Sequence, residues 1–562
     1  SGNNNDWTNN NMQESDISLD SPTNNFATLN PLDRYPSTYL TLSEGNLLVN
    51  GGPTTGYTNI GSTFYQSTGK WYVEFIQKSR AGSTWTACGL LEMDVNHNGY
   101  LGQYTGTYAY LDNGGFYYGG SSVSTGTSYA VGDVIAYAVD FDAGEIKMYK
   151  NNTLVYTFSS LATGVEYAFG GFGYSSSDSS VINFGQDSSF AGNKVAQGNV
   201  DGNGFGDFYY EPPAGYLALC TANLPDPAIN DGSDHFNTVL WSGNGSTQSI
   251  TGVGFQPDFV WGKGRSFTQN HALYDTIRGA TQRLVSNSTA AENTETGGVT
   301  SFDTDGFSVG NSSSTNSSGN TFVAWNWKAD NTSGTSNTDG SITSTVSANT
   351  TAGFSIVNYT GNSTAGATVG HGLGTKPDMI IVKDRDGAKD WRVYHSSEGA
   401  TKYAALNSSA AFASALSVWN NTEPTSSVFT VGLSTTTNTS GSNIIAYCFH
   451  SVEGYSKFGS YTGNGSSDGP FVYTGFRPAF VIYKRSDGTG GFLIFDASRN
   501  TYNEVDKELF THSANGEGTN SDVDFLSNGF KLRSTSGNNN TSGGTYIYMA
   551  FAENPFKYSN AR

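Results

Sequence analysis

Oxygen side chains alternate through Asp94-Val95-Asn96-His97-Asn98-Gly99-Tyr100. That is the first half of a calcium loop, with Asp94, Asn96 and Asn98 as ligands and a glycine where the chain turns sharply. The twelfth position of such a loop needs a bidentate acid, and Thr105 stands there. An Asx-rich turn without metal fits the same residues. Asp201-Gly202-Asn203-Gly204-Phe205-Gly206-Asp207 is a similar partial match, and its glycines make no phosphate cradle because no helix or P-loop lysine follows. Gly465-Ser466-Ser467-Asp468-Gly469 satisfies G-x-S-x-G, but a nucleophile elbow needs a strand before it and a helix after it. Here Pro470 and a strand signal follow. None of the seven histidines stands at metal-ligand spacing with another. Carboxylate pairs for glycoside hydrolysis converge only in three dimensions and carry no mark in a sequence. The chain reads as non-enzymatic, with calcium the sole cofactor under consideration.

Aromatic side chains are the better lead. Tyr104-Thr105-Gly106-Thr107-Tyr108-Ala109-Tyr110 and Phe116-Tyr117-Tyr118-Gly119-Gly120 read as Gly-rich loops. Exposed tyrosines there would stack on sugar rings or anchor a protein partner, which makes Tyr104, Tyr108, Tyr117 and Tyr118 the candidate ligand contacts. The competing reading places half of these rings in the core.

A cassette of roughly 100 residues must position much of the rest, and it recurs three times between Phe236 and Phe556. Each copy opens on a small-residue turn: Trp241-Ser242-Gly243-Asn244-Gly245, Tyr359-Thr360-Gly361-Asn362-Ser363 and Tyr461-Thr462-Gly463-Asn464-Gly465. A proline then leads an apolar run at Pro257, Pro377 and Pro478, and an aromatic follows it at a constant distance as Tyr274, Tyr394 and Phe495. Further strand signals lie at Phe307, Phe429 and Phe530, and the copies close on Phe322–Trp327, Ile444–Phe449 and Tyr546–Phe551. Proline at a strand entrance leaves the ladder intact, and the closing runs carry the aromatic and β-branched residues of packed strands. Copies of this size predict a string of beads, each with its own core. His395 occupies the place of Asp275 and Asp496 in the other copies, as expected of a polar strand end rather than a catalytic base.

Composition agrees with strands. Charged residues are 14% and aromatic residues 14%, with Gly at 70. The aromatics supply buried area that a disordered chain lacks, and short strands joined by Gly/Asn/Ser/Thr turns suit the rest. A net charge of −20 argues against nucleic acid and anionic membranes as partners, and no apolar run is long enough to span a bilayer. Cys88, Cys220 and Cys448 are too few and too scattered for a disulfide framework and read as buried thiols. A start at Ser1 without Met or signal peptide suggests an upstream segment removed or left out.

In the first part of the chain, Trp71-Tyr72-Val73-Glu74-Phe75 alternates as a strand, and residues 132–152 read as a hairpin about Asp142-Ala143-Gly144 with a second turn at Asn151-Asn152. The order GKWYVEF, GDVIAYAVDFDAGEIKMYKNN, INFG resembles the SPRY (B30.2-like) domain, a bent β-sandwich that binds partners through loops. Such a module followed by Gly202–Ile229 and tandem cassettes, with the opening at Gly2–Asn11, is similar to virion proteins of tailed, especially marine, phages. That resemblance implies a tail-fibre or other appendage protein on the virion surface. Its partners would be other virion proteins, copies of itself (a trimer if it is a fibre) and a host-surface glycan or protein. A capsid decoration or filament subunit, and a polysaccharide depolymerase, are the alternatives.

The expected architecture is therefore all-β and multi-domain, with little helix: an extended arm at 1–40 anchored by Trp7, a SPRY-like sandwich at 41–190, a Pro/Gly-rich junction at 191–235, and three related β-sandwich repeats at 236–330, 343–452 and 453–562. Residues 329–342 read as a softer junction, and 401–415 and 499–513 as short helices or helical turns.

Overall fold

A computed structural model describes residues 19–21, 23–35, 40–51, 58–80, 85–93, 99–173, 177–519 and 523–558. Strands dominate, and the α-helical segments among the described residues are two single turns, Ser313–Asn316 and Leu416–Trp419. The all-β expectation holds. The chain divides into two compact units, Ser1–Pro225 and Asp226–Arg562.

The first unit is a two-sheet sandwich. One sheet runs, in hydrogen-bonded order, Leu29–Tyr35, Thr58–Gln66, Tyr167–Gly173, Ala87–Glu92, Thr107–Leu111, Gly115–Tyr118, Ser121–Thr125. The other runs Thr153–Phe158, Glu145–Lys150, Val134–Asp140, Lys70–Ser79, Ser179–Asn183, Leu48–Gly51, Leu40–Ser43. Val134–Asp140 is buried along its whole length, and Tyr137 stacks on Phe169 of the facing sheet at 5.9 Å. The expected hairpin is present, with Asp140 opposite Glu145. Its second turn puts Asn151 and Asn152 at φ 45° and 64°, the left-handed geometry that a two-residue hairpin loop demands.

The boundaries of this unit differ from the sequence reading. Leu29–Tyr35, read above as part of the extended arm, pairs with Thr58–Gln66. Pro31 is tolerated there because the strand lies at a sheet edge and its register is bulged. Trp7 lies outside the described residues. Most of the junction also belongs to the sandwich: Leu217–Ala218 pairs in parallel with Lys70–Ser79, and Phe208 meets Tyr72 at 5.2 Å. Glu74, buried beneath, accepts the N–H groups of Tyr209 and Tyr210, both at 2.8 Å.

The second unit holds three modules whose main sheets share one strand order. In the first it is Phe236–Ser242, Thr321–Trp327, Phe259–Gly264, Ala272–Asp275. The second has Phe354–Thr360, Asn443–Phe449, Met379–Asp384, Arg392–His395, and the third Ser456–Thr462, Thr545–Pro555, Phe476–Arg485, Leu493–Asp496. Register agrees as well: Phe259 faces Trp327, Met379 faces Phe449, and Phe480 faces Phe551. The soft junction supplies a strand, Thr335–Asn337, to the second sheet. The stretches read as short helices carry instead the two-residue strands Lys402–Tyr403, Ala413–Ser414 and Leu509–Phe510.

The small-residue turn that opens each cassette is a clasp. A Cβ on Gly243, Gly361 or Gly463 would stand 2.2, 2.2 or 2.3 Å from the carbonyl oxygen of Ser317, Thr439 or Thr541, so only glycine fits. Asn316, Asn438 and Asn540 complete it, their side-chain oxygens accepting the N–H of Asn244, Asn362 and Asn464 at 2.9, 2.8 and 2.7 Å.

The expectation of separate beads does not hold. Side chains alternate along each closing strand, and both sets are apolar. Phe322 and Ala324 enter a core private to the first module, whereas Val323, Trp325 and Trp327 enter a core that also contains Ile445, Tyr447 and Phe449 of the second and Ile547, Met549 and Phe551 of the third. Hydrogen bonds follow the same rotation. Lys263, Lys383 and Lys484 are buried, and each donates from Nζ to a carbonyl of another module: Ala514 at 3.2 Å, Thr289 at 3.2 Å and Ala410 at 2.7 Å. The backbone N–H groups of Glu292, Phe412 and Glu517 likewise donate to the carbonyls of Arg385, Ser486 and Arg265. The first module is thus joined to the second, the second to the third, and the third back to the first. The three close a ring around one core.

Candidate functional site

The residues singled out for chemistry fall into three groups in space. Asp94, Asn96 and Asn98 lie outside the described residues, and among the described residues no group of three or more His, Cys, Asp and Glu is placed to hold a metal. The similar segment at 201–207 is not built for a cation. Asp201 accepts the N–H groups of Asn203, Phe205 and Ala218 and the amide of Asn223 at 2.7–3.0 Å. Asp207 is engaged by Ser188 and by the N–H of Gly198. N–H donors already occupy the lone pairs a metal would need. Ser467 sits exposed in a loop between two strands, Ser456–Thr462 and Phe471–Tyr473, with no helix to hold it at a strained elbow.

Three of the four buried histidines, His271, His371 and His395, are structural. His395 faces the Tyr548 carbonyl at 3.1 Å through Nε2 and accepts the Ser397 N–H at Nδ1. His371 and His271 are held in the same way, by Thr425 and Leu373 and by Phe510 and Trp261. One nitrogen donating and one accepting describes a neutral ring. Burial pushes His395 and His371 down to about 4 and His271 well below its ordinary value. In the first unit burial has the opposite consequence for an acid, pushing Glu74 up to about 7 against the four donors that hold it.

These shifts predict opposite pH responses. Between pH 6.5 and about 4 the unfolded chain protonates its histidines while the folded rings stay neutral, so the Asp226–Arg562 unit loses stability as pH falls through that window, on the order of 1.4 kcal/mol per pH unit for each ring. Asp258, pushed up to about 6 by burial, offsets part of this. Glu74 holds a proton in the folded state between pH 4.5 and about 7, so its contribution is complete below 4.5 and is lost as pH rises through 7. Calorimetry from pH 4 to 7 should move the transitions of the two units in opposite directions, and Glu74→Gln should flatten the first. Parallel movement would contradict the assignment.

The tyrosine candidates do not converge as a loop cluster. Thr107–Leu111 and Gly115–Tyr118 are paired strands, and period-two alternation sends their side chains to opposite faces. Tyr108 is a core residue, 1% exposed, stacked on Tyr118 at 4.7 Å and donating its hydroxyl to the Ser160 carbonyl at 3.1 Å. Tyr118 half covers it. Tyr117 points to the other face, half-buried, with Tyr100 edge-on at 5.9 Å. Tyr104 follows four residues after Tyr100 and lies beside Gly99: a Cβ on Gly99 would stand 3.0 Å from its ring. Tyr100, Tyr104 and Tyr117 are thus a half-buried ledge near the exposed edge strand Ser121–Thr125, with Tyr100 and Tyr117 packed in part against the buried cluster of Ala87, Leu91, Leu101, Ala109 and Leu111. Tyr100 was missed because it reads as the end of the calcium-like segment.

No curated protein matches the chain. The SPRY domain family matches residues 70–187. Solved structures similar to this part include the SPRY domain of human HERC1 (19% identity, 27% of this chain and 96% of that chain, TM-score 0.25), the TRIM65 PSpry domain (14%, 28% and 92%, 0.23) and a human SPRY domain (16%, 26% and 94%, 0.22). The family described as Domain of unknown function (DUF7483) matches residues 231–555, the whole ring of three modules. That match takes in more than half of the sequence, and the chain belongs to the DUF7483 family.

Proposed function

We propose that the chain is a non-enzymatic binding and assembly protein of a tailed-phage particle, in which the SPRY unit recognises a host-surface glycan or protein and the DUF7483 unit is a stiff platform built from three copies of one module. The observation that carries this reading is the ledge of Tyr100, Tyr104 and Tyr117. Aromatic rings, here one on a paired strand (Tyr117) and two on the loop before Thr107–Leu111, make contact at low entropic cost. The phage setting rests on the resemblance of residues 2–11 and 202–229 and on the order of the parts. Individual contacts would be weak, and many copies on a particle would make them strong. Binding of the purified chain to host cells is expected to fall at least about tenfold in Tyr117→Ala and in Tyr104→Ala, measured at a temperature at which both variants remain folded. Equal binding by both variants would remove the ledge from the account.

The closed ring favours a second reading, a load-carrying decoration or filament subunit. Self-association of the wild-type chain in light scattering, with no retention on host cells, would support that reading over the first.

A further inference from the structure

The three seams of the ring repeat one framework, and at the seam between the third and first modules that framework is broken in two places. The position ten residues after the proline is Gly387 in the second module and Gly488 in the third, but Phe267 in the first. The third module also reaches Glu517 four residues later than the first reaches Glu292, counted from their prolines. The extra length lifts a loop over the seam. Gly516 crosses it so closely that a Cβ would stand 2.6 Å from the Arg265 carbonyl.

Between these departures lies an open hollow of about 450 Å³ lined by Arg265, Phe267, Thr268, Lys507, Glu517 and Thr519, with Ser266 and Gly516. Its volume falls at the small end of the range for small-molecule sites. Phe267 is held edge-on against Phe322 at 5.6 Å and remains half-buried. Arg265 and Glu517 form a two-bonded pair at 2.5 and 3.2 Å, 18% and 15% exposed. Lys507 leans on Asp506 at 3.4 Å, and Thr268 and Thr519 are exposed.

We propose that this hollow is a saccharide-binding site. The guanidinium and carboxylate compensate each other, which removes the strong preference for an anion or cation that a lone charge would impose. Glu517 also takes Arg499 at 3.4 Å, so the pair is held in place and the Arg265 N–H groups outside it are the donors left for neighbouring hydroxyls. Phe267 offers an apolar face for the C–H side of a sugar ring, and the threonine hydroxyls and the Lys507 ammonium supply the remaining polar contacts. The hollow has room for one or two rings, so it would take the end or a short internal stretch of an oligosaccharide. The assignment stands on the DUF7483 unit alone and does not rest on the tyrosine ledge of the SPRY unit.

The test is a glycan array of neutral and acidic oligosaccharides probed with the full chain, followed by saturation-transfer NMR on the hits. Binding is expected, weakened at least tenfold by Phe267→Ala and by Thr268→Trp, which fills the hollow from an exposed position and leaves the Arg265–Glu517 pair intact. Tyr117→Ala should leave it unchanged. Absence of any saccharide hit, or hits that survive Thr268→Trp in a chain that melts like wild type, would overturn the proposal. Hits lost in Tyr117→Ala but kept in both hollow variants would overturn it too, while supporting the ledge.

Discussion

Trp327→Ala is expected to remove about 3–5 kcal/mol from the stability of the Asp226–Arg562 unit, and to do so in a single transition of the whole unit. The indole lies 4.9 Å from Phe236 and 5.3 Å from Phe259 of its own module, 6.2 Å from Phe449 of the second, and 5.7 and 5.8 Å from Phe480 and Phe551 of the third. Truncating it opens a cavity against all three modules, and none can collapse into it without moving the other two. A companion variant isolates packing from polarity. The indole N–H of Trp327 meets no acceptor, so Trp327→Phe keeps much of the packing and deletes a buried, unpaired donor. It should cost far less than alanine. Calorimetry and urea unfolding read both effects. Two or more separated transitions, with only one displaced by the alanine variant, would show that the modules fold independently and that the shared core is not what holds them.

Asp275→Ala should rival that loss, at about 3–5 kcal/mol, through charge rather than volume. Asp275 and Arg278 are paired with both side chains fully buried. The guanidinium also donates to Glu292 at 2.9 Å and to the carbonyls of Leu273 and Gln282 at 3.0 and 2.8 Å. Tyr447 of the second module donates its hydroxyl to Asp275 at 2.7 Å. Removing the carboxylate leaves an arginine short of a partner and a buried hydroxyl without its acceptor, both out of reach of water. The double replacement Asp275→Leu with Arg278→Met should be milder than Asp275→Ala, because no uncompensated charge remains and Glu292 keeps its two bonds from Arg385 at 3.0 and 2.7 Å. Chemical denaturation of the two variants checks the ordering. A double variant worse than the single one would mean that the pair contributes net stability rather than merely being costly to break.

The same position shows how far equivalence between the modules goes. Asp496 pairs with Arg499 and accepts the Trp325 indole N–H at 3.0 Å, which repeats the arrangement at Asp275 one seam further round. His395 holds the place at the remaining seam and meets a backbone carbonyl instead. Reading His395 as a polar strand end was right about its chemistry, but the strand end it marks lies buried at a seam. Nothing in the spacing of a single copy announces that its polar end will be covered by the next copy.

Local pattern determined the all-β class, the 132–152 hairpin and the SPRY-like order, because period-two alternation and positive-φ turn residues are properties of a few consecutive residues; it did not distinguish the strands Thr107–Leu111 and Gly115–Tyr118 from loops. Tertiary structure alone decided where the apolar faces went. The closing strands are apolar on both sides, which tells that both sides are buried but not against what, and the answer was a private core on one side and the ring's common core on the other. It also decided the sites. Tyr108 and Tyr117 look alike in sequence and differ only in which face of the sheet they take, and the hollow beside Phe267 exists because residues some 250 positions apart, Arg265 and Glu517, meet at 2.5 Å. A chain of short-range rules carries no record of such a meeting, since it depends on the closure of the ring.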